Sequence, residues 1–175
     1  MSDDSTIWIQ STRDPDHEGM CEITHGGLQF YASVTDVRQT AVDLVTCAAY
    51  SEMMMELVKL GLPAKQVSAF TTAILKRDKP FGAPTTFELW PAGSTKRGQP
   101  VVLVGRAGVT GPGDPLPQDA LHPDEARGMA LAWFEAAEAT ESDQKVTAAL
   151  RLIRQEKIAE SLFATLRKLR EVPSA

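Results

Sequence analysis

The segment from Thr35 to Lys59, TDVRQTAVDLVTCAAYSEMMMELVK, is the longest apolar-periodic stretch in the first half of the chain. Val37, Ala41, Leu44, Val45, Ala48 and Met55 fall near the i, i+3, i+4, i+7 spacing, which predicts a helix with one apolar face. Thr35 is the expected N-cap, and Asp36 lies where a carboxylate favours the positive end of the helix dipole. Gly61-Leu62-Pro63 should end the helix, because glycine accepts the left-handed conformation just past the last turn and proline cannot continue it.

The residues before this helix read as strands. Thr6–Gln10 alternates in the manner of a short strand, and Thr12–Gly19 is a loop marked by Asp-Pro and Gly. Met20–Val34 predicts a hairpin turning at Gly26-Gly27, since two glycines supply the positive φ angles that a two-residue turn requires. That turn pairs His25 with Leu28, Ile23 with Phe30 and Cys21 with Ala32 on one mostly apolar face. Glu22, Thr24, Gln29 and Tyr31 fall on the other face.

Beyond the first helix, Pro63 to about Arg77 predicts a second one, with Val67, Phe70 and Ile74 facing inward. Thr85–Trp90 and Val101–Ala107 read as strands joined by the loop Pro91–Pro100. The run Val101-Val102-Leu103-Val104 is apolar on both faces, as a central strand should be. The Pro- and Gly-rich stretch 108–121 reads as a loop, and Pro123-Asp124-Glu125 opens a helix through Ala139. A last helix is expected from about Asp143 to Glu171, on the order of 40 Å long if unbroken.

Displaced by 88 positions, Asp36 falls on Asp124, Leu44 on Ala132, and Ala48-Ala49 on Ala136-Ala137, a faint internal echo. The order of elements implies an α+β protein, in which two β-hairpin-plus-helix units form one antiparallel or mixed sheet covered by helices. Residues 1–141 then make the α+β domain, with 6–77 and 85–141 as its candidate halves. Residues 142–175 add the long C-terminal amphipathic helix.

Composition narrows the function. Hydrophobic residues make up 43% of the 175, enough for a substantial core, and the net charge of −5 argues against a generic polyanion-binding surface. Charge is uneven: residues 1–144 carry 11 Lys and Arg against 20 Asp and Glu, whereas residues 145–175 carry 7 against 3. Cys21 and Cys47 are too few for a disulfide scaffold and read as buried free thiols in a reducing cytoplasm. No run of eighteen apolar residues suggests a membrane span.

No catalytic constellation stands out. His17, Cys21 and His25 are four apart, but in an extended segment four residues span roughly 13 Å, too far for ligands of one ion. Gly105–Gly111 lacks the Gly-Lys-Ser/Thr of a phosphate loop, and no G-x-S-x-G elbow is present. Glu52 and Glu56, at i and i+4, read as a solvated helix face. The expectation is therefore no catalytic set, no metal site and no cofactor.

Two stretches carry functional expectations. Met53–Lys76 resembles the helix-turn-helix of bacterial regulators, with Gly61 in the turn and Val67 and Phe70 anchoring the second helix. The resemblance implies Lys65, Gln66, Ser68 and Thr72 as recognition-helix side chains and Lys76 and Arg77 near phosphates. Lys96 and Arg97 would lie at the tip of a wing-like hairpin spanning 85–107. Against it, Pro63-Ala64 stands where that motif has Ser or Thr, and the first helix is much too long. The second stretch is the terminal helix, where Leu152, Ala159, Leu162, Leu166 and Leu169 follow a three–four seam suited to packing or self-association. The leading expectation is a non-enzymatic cytoplasmic interaction or regulatory protein that self-associates as a homodimer, with protein partners and no membrane. A DNA-binding regulator is the alternative, and a small enzyme of unknown class the third.

Overall fold

The computed structural model describes residues 7–12, 15–25, 28–78, 87–94, 98–106, 119–152 and 156–170. The chain is mixed α+β. Its elements run β1 (Trp8–Ser11), β2 (Met20–His25), β3 (Leu28–Ser33), α1 (Val34–Lys59), α2 (Ala64–Asp78), β4 (Phe87–Ser94), β5 (Gln99–Arg106), β6 (Asp119–Leu121), α3 (Pro123–Leu152) and α4 (Glu156–Arg170), with one 3-10 turn at Pro15–His17.

The strands form two antiparallel sheets of three, β1-β2-β3 and β4-β5-β6, rather than the one sheet expected. The hairpin register is as the alternation predicts: His25 pairs with Leu28, Ile23 with Phe30 and Cys21 with Ala32. The Gly26-Gly27 turn itself lies outside the described residues. Strand β5 is central in its sheet, as its apolar run implies. Strand β6 was not expected, because three residues in a stretch rich in Pro and Gly leave no readable alternation.

The ends of α1 and the start of α3 have local causes. The N-cap of α1 is Ser33, two residues before the expected Thr35. Its hydroxyl accepts from the Asp36 N–H at 3.1 Å and donates to the Asp36 carboxylate at 2.7 Å. At the other end Gly61 takes φ of +93°, its N–H bonds to the Val58 carbonyl, and the Leu62 N–H bonds to that of Leu57. This pair of bonds closes the helix where Gly61 and Pro63 predict a stop. Helix α3 opens on a matching device, with the His122 N–H donating to the Glu125 carboxylate at 2.7 Å.

The expected break near residues 140–142 is absent. Thr140 is inside α3, its hydroxyl donating to the Ala136 carbonyl at 2.8 Å. Such a bond satisfies a buried hydroxyl without leaving the helix. Leu152 therefore ends α3, while Ala159, Leu162, Leu166 and Leu169 belong to α4.

The same order of elements occurs twice, three strands followed by a long helix and a shorter one. Displacing α1 by 89 positions lays its buried face on that of α3: Val37 on Ala126, Ala41 on Ala130, Leu44 on Trp133, Cys47 on Ala136, Ala48 on Ala137 and Ser51 on Thr140. The sequence echo is thus out of register by one residue. Helix packing is crossed between the two sets. Helix α1 lies chiefly on β4 and β5, and α3 chiefly on β1.

The largest contact in the molecule joins α1 to α3. The helices are antiparallel, because Arg38 early in α1 pairs with Glu138 and Glu141 late in α3, while Arg127 early in α3 pairs with Glu52 late in α1. Fully buried alanines, Ala41, Ala48, Ala130 and Ala137, line the stretch between these ends and let two backbones approach closely. Below them, Phe87 of β4 meets Phe30 of β3 at 5.6 Å and Trp133 of α3 at 5.3 Å between ring centroids, so it joins both sheets to the helix layer.

Two inward assignments are corrected. Val45 is exposed, since at about 100° per residue it falls outside the arc of the helix spanned by the buried Val37, Ala41, Leu44, Cys47 and Ala48. Phe70 is exposed as well, and the buried positions among the described side chains of α2 are Val67 and Thr71. Their i, i+4 spacing meets α1, which turns Phe70 aside.

Candidate interaction surface

Among the described residues no group of three or more His, Cys, Asp or Glu side chains is placed to hold a metal ion. His17 stacks on Tyr31 at 3.7 Å, and His25 lies edge-on to Phe87 at 5.9 Å. Cys21 is fully buried, with its sulfur 3.3 Å from the Thr140 hydroxyl. Burial raises the Cys21 pKa, which keeps it a thiol at neutral pH.

The polar features between α1 and α3 are ion pairs. Arg127 forks onto Glu52 and also reaches Asp124 at 3.1 Å. The hydrogen bond from Arg127 holds Glu52 below the usual carboxylate range, and that from Arg38 does the same for Glu141. Arg38 corresponds to Arg127, and Glu52 to Glu141, under the 89-residue displacement. These groups are still partly open to solvent, so they fix helix register more than they stabilise the fold. The spacing of Glu52 and Glu56 predicts a solvated helix face, and the Arg127 fork onto Glu52 adds a partner from a helix distant in sequence.

The apolar surface is more telling. Around the α1–α2 turn, Val58, Leu60, Leu62 and Phe70 are all exposed, Leu60 at 78% and Phe70 at 55%. At α4, Ile158 is 51% and Leu162 38% exposed, one helical turn apart on the same side. Phe163 and Leu166 are half-buried, and α4 packs chiefly on α3. Of the expected seam, Leu162 and Leu166 thus share a partly open stripe. The side chains of Leu152, Ala159 and Leu169 lie outside the described residues.

The residues named for the DNA reading divide in the same way. Lys65, Gln66, Ser68 and Thr72 are exposed along α2. Lys76 and Arg77 belong to the last turns of α2, but their side chains are outside the description, as are Lys96 and Arg97 entirely. Gly61 does occupy the turn, whereas Phe70 does not anchor the second helix.

No described helix is long and apolar enough to cross a membrane. Comparison with protein-family models, with curated proteins and with solved structures finds no match.

Proposed function

We propose that the chain is a non-enzymatic, cytoplasmic interaction protein of a regulatory kind, which self-associates as a homodimer through α4. The observation that carries this reading is the pair Ile158 and Leu162, open to solvent on a strongly amphipathic terminal helix. An apolar stripe at helical spacing is costly to leave in water, and its burial against another chain recovers that cost. The three–four spacing of Ala159, Leu162, Leu166 and Leu169 is the kind that pairs helices.

Leu162→Asp is expected to abolish the dimer while leaving helix content unchanged, because the site is exposed in the single chain. Light scattering coupled to size exclusion at tens of micromolar, a range suited to small interfaces, makes the measurement. A wild-type chain that is monomeric throughout that range removes the reading.

DNA binding through α2 is the second reading, supported by the four exposed polar side chains Lys65, Gln66, Ser68 and Thr72. It expects a mobility shift on random duplex at low salt that weakens steeply as salt rises. Absence of any shift at tens of micromolar protein eliminates it, since non-specific affinity is supplied by basic residues alone.

A further inference from the structure

Helix α4 is electrically polar along its length. Glu156, Lys157 and Glu160 stand in its first half, which is net acidic, and Arg167, Lys168 and Arg170 in its last turns, which are strongly basic. Its backbone dipole has the opposite sense, positive at the start and negative at the end. The apolar seam has a different symmetry. Ala159, Leu162, Leu166 and Leu169 are separated by three, four and three residues, so the spacing reads the same in either direction.

Resting on the self-association proposed above, we infer that the occupant of the α4 stripe is α4 of a second copy, running antiparallel. In that arrangement the palindromic seam sets Leu162 of one copy against Leu166 of the other. The acidic start of each helix then lies beside the basic end of the other, twice over, because the contact is two-fold symmetric. Parallel pairing of the same seam brings three basic residues against the same three and leaves the acidic starts together. Like charges so placed oppose pairing, and aligned helix dipoles add to the opposition. The half-buried Phe163 lies near the middle of the helix, where the two-fold axis would pass. Fifteen residues make a helix of about 22 Å, a small interface, so affinity in the micromolar range is expected.

The test uses charge reversal in the full chain, read by sedimentation equilibrium. The first variant carries Arg167→Glu, Lys168→Glu and Arg170→Glu, which makes both ends of α4 acidic. Antiparallel pairing then becomes repulsive at both ends, and the dimer Kd should rise about 10- to 100-fold. The second variant adds Glu156→Lys and Glu160→Lys, restoring opposite charges across an antiparallel pair, and the Kd should return to near the wild-type value. This second variant opposes the helix dipole more than the first, so recovery excludes simple unwinding of α4 as the cause of the loss. A first variant that dimerises as tightly as wild type overturns the antiparallel arrangement while leaving self-association standing. A second variant as weak as the first overturns it too. A wild-type chain that remains monomeric removes self-association itself.

Discussion

Cut between α2 and β4, neither piece of this chain folds as a monomer. The expectation follows from the crossed packing: α1 lies chiefly on β4 and β5, while α3 lies chiefly on β1. A fragment holding β1 through α2 keeps its long helix but loses both α3 and the β4–β5 sheet, which together cover most of its apolar face. Val37, Ala41, Leu44, Cys47 and Ala48, all buried in the intact chain, lose most of that cover. Exposing such a face forfeits about 25 cal/mol for each Å² of apolar surface, and stability totals only about 5–15 kcal/mol. Each fragment alone should lack near-ultraviolet circular dichroism and sharp thermal melting, and an equimolar mixture should regain both. A single fragment that melts cooperatively, with a midpoint independent of its concentration, would refute this.

Trp133→Ala is the point substitution expected to cost most. Trp133 is 1% exposed and heads the fully buried side chains by volume. It packs edge-on to Phe87, the ring that links both sheets to the helices. Truncation removes this contact and leaves a cavity that the surrounding strands can close only in part, a loss of about 3–5 kcal/mol. Trp133→Phe should cost much less, because an aromatic ring remains against Phe87. The indole N–H also has no hydrogen-bond partner among the described residues, so none is lost with it. Urea midpoints at unchanged slope measure both effects, and near-equal losses for the two variants would show that the ring contact is unimportant.

The two variants separate what the core needs from what the surface offers. Removing Trp133 acts on the fold, whereas Leu162→Asp acts on association, since Leu162 is exposed in the single chain. Loss of the dimer without loss of the melting transition is therefore the signature expected of the α4 surface.

Local rules determined a large part of this architecture. The β2–β3 register was legible because two adjacent glycines between alternating runs predict a two-residue turn, and alternation then assigns the flanking side chains to faces. The end of α1 was legible because Gly61 and Pro63 act on backbone conformation alone. The stripe on α4 was legible as periodicity, although its separation from Leu152 was not, since Ile153, Arg154 and Gln155 include neither Gly nor Pro to mark a helix end. Tertiary structure decided the rest. Nothing local says that α1 should lie on the sheet built from the later strands, because an apolar face fits any complementary apolar sheet. Nothing local turns Val45 and Phe70 outward either, since periodicity gives the width of an apolar stripe but not which edge of it meets a neighbour. The pairing of Arg38 with Glu141 and of Arg127 with Glu52 depends on two antiparallel helices far apart in sequence, a juxtaposition that packing alone creates.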